Sequence, residues 1–591
     1  MLHTVDWIII LLYFLLNAGI IAYYSRRAGQ SLNEYFLSGR SLPWYVAGTT
    51  MVATTFAADT PLAVTELVAR NGIAGNWLWW NMLIGGMFTA FFFAKLWRRA
   101  NIMTDVEFVE IRYDGKPAAF LRGFRAIYLG LFMNIVIMGW VNLAMVKVLR
   151  VMFPDFTFFG IHELSVAGFT FSSHLLLVGS LLFLVAVYSS LAGLWGVAIT
   201  DMVQFTLAMV GTVALAIVVL GIPEIGGLKG LKAALPEDVF RFTPVVGNLS
   251  TTVSGVLTLS VSSFIAFIGV QWWASWYPGA EPGGGGYVAQ RMMSAKNENH
   301  SVGATLWFMI AHYALRPWPW IIVALASMVL YPQLADADKG AGYVMVMRDY
   351  LPTGLLGLLM AAFLAAFMST ISTQLNWGTS YIVNDFYKRF FHRGKDERQL
   401  VFISRITTLV LMIISLVLTT KMDRISDAWT FILECSAGIG LVLILRWFWW
   451  RVNAWSEITA MVAPLILYPF LPGDVQFPDT LFIIVCWSTF WWVAVTCFTK
   501  PTDSATLESF YQRVSPGGWW GAIGGHRESN HSIRWLAICW LSATISVYAV
   551  LFAIGHFLFH SAETGFLLLI VGLVTGLGVK YALGKANPVI N

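Results

Sequence analysis

Apolar residues in this chain gather into long runs, without the strict alternation that a half-buried strand shows. About fifteen runs are long enough to cross a bilayer: 5–24, 43–67, 77–96, 122–150, 168–192, 196–221, 253–276, 303–331, 351–384, 400–420, 427–449, 455–472, 479–498, 533–559 and 564–583. They exceed barrel-strand length, so the pattern predicts helices throughout. The polar positions between them are uneven. Lys and Arg gather after spans one (SRRAGQSLNEYFLSGR), three (KLWRRANIMTDVEFVEIRYDGKPAAFLRGFR), nine (YKRFFHRGKDER) and eleven (RWFWWRVN), whereas ARNGIAGN (69–76) and PGDVQFPD (472–479) hold few. Basic loops stay in the cytoplasm. The expected orientation in a cytoplasmic (inner) membrane therefore has the N-terminus outside and the C-terminus cytoplasmic. No basic residue precedes the first run and no small-residue cleavage site follows it, which suits a retained helix.

Two of the runs are interrupted. Span two holds ATTFAADTP at its centre, with Asp59 and Pro61, and Pro61 disfavours helix at Thr60. Span seven continues into WWASWYPGAEPGGGG, where Pro278, Pro282, Glu281 and a glycine run break it. Spans two and seven would each begin a five-helix unit (43–221 and 253–449), and a five-helix shift inverts membrane topology. Paired breaks of this kind point to a transport site near the bilayer midplane. Two independent kinks are the alternative.

Span nine carries a hydroxyl and amide stripe. Ser369, Ser372, Thr373, Asn376 and Ser380 share one helical face, with Thr370 beside it. Such a row can offer neutral oxygens to a hard cation such as sodium, or it can serve helix packing. Ala361, Ala362, Ala365 and Ala366 allow close approach of a neighbour. Asp59, Asp201, Arg316 and Glu434 fall inside or near spans, where an ionisable group faces a cavity, a partner or an interface. Arg316 could pair with Glu434 or Glu281.

Composition narrows the class. The chain is 58% hydrophobic and 12% charged, with a mean hydropathy of +0.70. Soluble domains carry about twice that charge. The net charge of +5 suits anionic lipid headgroups and calls for no nucleic acid. Cys435, Cys486, Cys497 and Cys539 lie in apolar runs without a CxxC and read as packing residues rather than a disulfide or zinc set. No protease, hydrolase or nucleotide-binding motif occurs, so an enzyme is not expected. The polar segment 500–532 reads as a cytoplasmic linker from a core (1–499) to two additional helices (533–591).

Four segments carry a family resemblance: EYFLSGRSLPWYVAGTTMVATTFAADTPL (34–62), TDMVQ (200–204), YVAQRMMSAKN (287–297) and STISTQLNWGTSYIVNDFYKR (369–389). With them the chain resembles the sodium:solute symporter family from span one to about span thirteen. The resemblance implies a leucine-transporter-type inverted-repeat bundle of five plus five helices. One extra helix precedes the repeats, and a solute is carried by alternating access. It implies a main sodium site from the carbonyls of Ala53, Phe56 and Ala366 with the hydroxyls of Ser369 and Thr370. A second sodium would use Asp201, Ser372 and Thr373. Substrate candidates are Thr55, Asp59, Thr60, Arg316 and Glu434, with Trp272, Trp273, Trp276, Tyr277 and Glu281 near the second break. Arg316 stands where a sugar-carrying relative has lysine, and a guanidinium could clamp a carboxylate at two points. The 272–286 segment is longer and richer in glycine than the family pattern. The solute would be a sugar, an amino acid or a small organic anion, with sodium and lipid as the other partners and no obligatory protein partner. A passive channel or a transporter-like sensor is the competing reading, although no filter-like repeat or signalling domain is evident.

Overall fold

The structure is a computed structural model that describes residues 2–586, apart from 29–31, 103, 190–193, 248–255, 392–396, 473–474, 476 and 524–528. Parts of the basic loops after spans one and nine, the start of span seven and residues 524–528 of the polar segment 500–532 therefore lie outside the described residues. Among the described residues nine helices are long and apolar enough to cross a membrane. Two bent pairs add to these, Ile73–Phe92 with Ala94–Ala100 at 48° and Ile425–Cys435 with Ile439–Phe448 at 52°. The shorter helices Ser173–Ala186, Val261–Ala274 and Ala454–Phe470, and the broken pair Trp44–Thr54 and Asp59–Asn71, complete the fifteen expected spans. An antiparallel ribbon, Glu163–Val166 with Phe169–Ser172, precedes span five.

Span two breaks at 55–58 rather than at Pro61. The Phe56 N–H turns back to the Ala53 carbonyl (2.9 Å), and helix resumes at Asp59. Pro61 is the third residue of the new helix, where its missing N–H would have had no helical partner anyway. Thr65 Oγ donates to the Pro61 carbonyl (2.8 Å). Span seven leaves its helix after Ala274 and resumes at Gly286. Between them Gly279, Gly283 and Gly284 take positive φ. A Cβ on Gly284 would lie 2.8 Å from Met292 and 2.9 Å from the Trp97 indole nitrogen. That nitrogen donates to the Gly283 carbonyl (2.8 Å). The glycine run is thus a fixed turn, tightly packed against span three.

Spans four, seven, eight and nine each contain a widened π turn, at Tyr128–Met133, Ala266–Gln271, Ala311–Leu315 and Tyr381–Tyr387. Such turns re-aim the side chains that follow. Spans four and nine cross where a Cβ on Gly378 would lie 2.7 Å from the Gly130 carbonyl. Asn134 seals the crossing by donating to the Gln374 carbonyl (2.9 Å).

The end of the bundle that carries the basic loops is tied by buried charge. Arg112 donates to the carbonyls of Arg446 (2.8 Å) and Trp449 (3.0 Å). The Tyr113 hydroxyl donates to Glu457 (2.6 Å), which also meets Arg446 at 3.3 Å. Segment 500–532, expected as a linker, docks here in its described part. Its helix Ser504–Val514 lays Phe510 against Trp447 and Trp520, and the Trp520 indole donates to the Trp447 carbonyl (3.0 Å). Of the last two helices, Ser529–Phe559 lies against span three and Ala562–Ala586 packs on Ser529–Phe559. The Trp540 indole donates to the Ile84 carbonyl (2.8 Å) and the Tyr548 hydroxyl to that of Trp80 (2.7 Å).

Candidate functional site

Span nine runs as continuous helix from Leu355 to Ser380 and faces the first half of span two and span six. Asp201 of span six is fully buried and accepts from Ser369 (2.9 Å) and from Thr50 of span two. One carboxylate thus joins three spans, about one turn before the span-two break. Gln204, one turn along span six, donates to the Ala365 carbonyl (3.3 Å). The neighbouring Thr370 hydroxyl is buried and has no hydrogen-bond partner. Ser372 and Thr373 turn to a different cavity, and no hydrogen bond among the described residues joins them to Asp201.

A cavity of about 80 Å³ lies at the two breaks. Thr55, Asp59 and Thr60 line it from span two, Tyr277 to Ala280 from span seven, Arg316 from span eight and Thr370 from span nine. Its aromatic wall is ordered. Tyr277 stacks on Trp140 (6.5 Å between centroids, 6° between planes) and meets Trp429 edge-on at 6.0 Å. Arg316 is buried over the Trp320 ring at 5.1 Å. It donates to the Thr55 hydroxyl (3.1 Å) and contacts His312 Nε2 at 3.3 Å. A guanidinium only donates, so His312 Nε2 accepts and its proton sits on Nδ1. Nδ1 then donates to Thr55 (3.0 Å), and Thr55 passes its own proton to the Val52 carbonyl (2.8 Å). This chain fixes Arg316 against the break. Arg316 Nε and Asp59 Oδ1 remain buried and unpartnered. The ion pairs among the described residues do not include Arg316, so the pairing with Glu434 or Glu281 that the sequence allowed does not form.

A second cavity of about 270 Å³ leads from this level toward the basic-loop end, past Asn376, Ser380, Asn384 and Ser404. Ile137, Pro278, Tyr287 and Gln374 line both cavities, so Tyr287 stands between them.

Several expected substrate residues lie elsewhere. Trp272 packs on Phe88 and Trp540, toward the C-terminal helices. The Trp273 indole donates to the Gly269 carbonyl (2.6 Å) of its own helix. Trp276 and Glu281 line the second cavity, not the first. Glu434 lines neither. The π turn in span seven re-aims the tryptophans, so their sequence spacing misplaces them. Sequence reasoning missed Thr50, Trp140, His312 as a positioning residue, and Tyr287. Thr50 lies one turn before Ala53, a spacing that could have revealed it. Trp140 gave no signal, because it meets the site only through the fold.

Residues 35–463 match the model of the sodium:solute symporter family. The chain belongs to that family. This symporter is 25% identical over 529 residues to a sodium/glucose cotransporter of Vibrio parahaemolyticus, covering 85% of this chain and 91% of that one. It is 23% identical over 496 residues to the sodium/mannose cotransporter SLC5A10 of Bos taurus, covering 78% of each. It is 22% identical over 505 residues to the human sodium/myo-inositol cotransporter 2, covering 78% and 69%. A solved Na+-coupled sialic acid symporter, in a substrate-bound outward-open state, superposes with a TM-score of 0.61 at 18% identity, over 85% of this chain and 99% of that one. That likeness shows the fold, and the broken-helix bundle expected from the resemblance is the one the symporter has. It is a multi-pass membrane transporter that couples a solute to sodium, and not an enzyme.

Proposed function

We propose that the symporter imports a sugar or cyclic polyol through the cavity between the two breaks, with sodium bound beside it. The carrying observation is that cavity. It sets a buried guanidinium edge and a buried carboxylate oxygen, both unpartnered, among ordered aromatic rings. Rings stack on the apolar faces of a pyranose or inositol, and the two polar groups suit its hydroxyls. The relatives named for glucose, mannose and myo-inositol support the same class.

Sodium would sit where span two unwinds against span nine. The carbonyls of Ala53, Phe56 and Ala366 and the hydroxyls of Ser369 and Thr370 would hold it. The unpartnered Thr370 oxygen supports this set, because a buried hydroxyl without a partner is costly unless a ligand completes it. Asp201 then acts chiefly by orienting Ser369, and Ser372 and Thr373 offer a landing for a second sodium on its way along the inner cavity. The charge bias of the basic loops supports a cytoplasmic side for that cavity and an N-terminus outside. The conformer is thus inward-facing, with Tyr287 between solute and exit.

A thermal-shift screen of purified protein against hexoses, hexuronates, myo-inositol, amino acids and organic anions, each with sodium or choline, tests the reading. A sugar or polyol should stabilise the protein in sodium and much less in choline. Stabilisation by amino acids alone would overturn the sugar assignment.

A further inference from the structure

Glu281 belongs to none of the groups described above. It lies in the glycine turn of span seven, is 4% exposed, and lines the inner cavity. Its Oε2 is buried without a hydrogen-bond partner, and the ion pairs among the described residues do not include it. The turn holds it closely. Glu281 Oε1 lies 2.9 Å from where a Cβ of Gly286 would stand, and its Cβ lies 3.4 Å from that of Gly285. On the other side of Gly286 is a second carboxylate. The Gly286 N–H donates to Asp105 (3.3 Å), which also accepts from the Tyr381 hydroxyl (2.5 Å) and faces Arg125 at 3.9 Å. Asp105 therefore has a cation beside it, whereas Glu281 has only backbone N–H groups of its own turn and no cation among the described residues.

We infer that Glu281 is a proton-binding site on the inner vestibule, occupied by a proton in this inward-facing conformer. An ionised carboxylate buried without a cation costs several kcal/mol, and Asp105 beside it adds like-charge repulsion. The groups facing Glu281 do not offset this. From span nine comes Tyr381, committed to Asp105. From the helix that follows the turn come Tyr287, which is neutral, and Arg291, which donates to Gln290 (2.8 Å). From span four comes Arg125, which is shared between Asp105 and Glu457. A metal ion fits less well, because no three His, Cys, Asp or Glu side chains converge among the described residues. One proton on one carboxylate oxygen removes the charge. It arrives from water in the vestibule and leaves by the same route, with no bond in the solute made or broken.

The position gives the proton a consequence. Gly286 starts the helix that carries Tyr287, the residue between the two cavities. Loss of the proton sets two negative charges on either side of Gly286, and the strain falls on that helix. Cytoplasmic pH would then bias the inner gate, separately from sodium at span nine.

Infrared titration of purified, lipid-reconstituted protein from about pH 5 to about pH 9 reads this site without a solute. Wild type should show a deuterium-sensitive carbonyl stretch of a protonated carboxyl that is lost as pH rises. Glu281→Gln should lack that one band while sodium still raises its melting temperature. The same set of carboxyl bands in both proteins would overturn the proposal. Should Glu281→Gln fold poorly, Asp105→Asn reads the same site. It should move the band's loss to lower pH by about one unit, because a neighbouring negative charge is removed, and an upward move would contradict the proposal. An unmoved band would overturn the proposal as well. Because neither measurement uses transport, a failure here is distinct from a failure of the sodium assignment.

Discussion

Thr370→Val is the sharpest test of the proposed sodium site, because the structure separates its effect on sodium from its effect on folding. The hydroxyl is buried and bonds nothing in the protein. Val keeps the shape and leaves no partner stranded, so stability without sodium should change by no more than about 0.5 kcal/mol. With sodium bound, the same hydroxyl would be one of five oxygens on a cation. A polar group bonded to a charge contributes about 1.5–3 kcal/mol, which corresponds to roughly a tenfold to hundredfold rise in the half-saturating sodium concentration. Ser369→Ala is the contrast. It strips one of two hydroxyl donors from the buried Asp201 carboxylate and should cost about 1–3 kcal/mol even in choline. The assay is the melting temperature of purified protein titrated with sodium against choline at constant ionic strength, where binding to the folded state raises stability with concentration. A Thr370→Val protein whose sodium titration overlays that of wild type would refute the assignment, whatever its stability.

Other expectations follow from the same contacts. Arg316→Lys keeps the charge but cannot reach both Thr55 and His312, so sugar-induced stabilisation should fall at least about tenfold in affinity while the melting temperature moves little. Asp6 accepts the N–H groups of Gly354 (2.7 Å) and Gly357 (2.9 Å), so Asp6→Ala should lower stability by about 2 kcal/mol and leave the sodium titration unchanged. A Cβ on Gly440 would lie 1.9 Å from the Trp273 carbonyl, so Gly440→Ala should sharply reduce the yield of folded protein on size-exclusion chromatography. Tyr548→Phe breaks the bond to the Trp80 carbonyl and should lower the melting temperature without altering sodium or sugar affinity, since that contact lies outside both cavities.

The bundle was legible because bilayer length and interruption are local signals. Runs of the right length gave the spans, and the clusters around Pro61 and 278–286 gave the two breaks. The position of the first break was not legible. Proline rules favoured Thr60 and Pro61, but a proline in the first turn of a new helix loses nothing, so the chain unwound one turn earlier. The same limit applies to the aromatic residues. Trp272 and Trp273 were the obvious candidates beside the break, yet the π turn at 266–271 directs them away. Two of the rings that do line the cavity, Trp140 and Trp429, come from spans four and eleven, and only the packing of the bundle brings them together. Ser369 and Asp201 were both readable as polar positions, but their bond required spans six and nine to meet.

Span nine shows why solute and sodium can be coupled without a separate device. Thr370 and Gln374 line the smaller cavity, and Gln374, with Ser372 and Thr373, lines the second one, while Ser369 bonds Asp201. Two turns of one helix therefore touch all three places. A sodium ion drawn between Ala53, Phe56 and these hydroxyls would hold span nine against the span-two break. That break is also what Arg316 grips through Thr55 and Val52. Sodium would thus pre-position the solute's polar contacts, and the solute would hold the sodium ligands together. Linkage makes the two effects equal in free energy. Loss of sodium toward the inner cavity would free span nine and the break together, and Tyr287 would then be the last barrier to the solute.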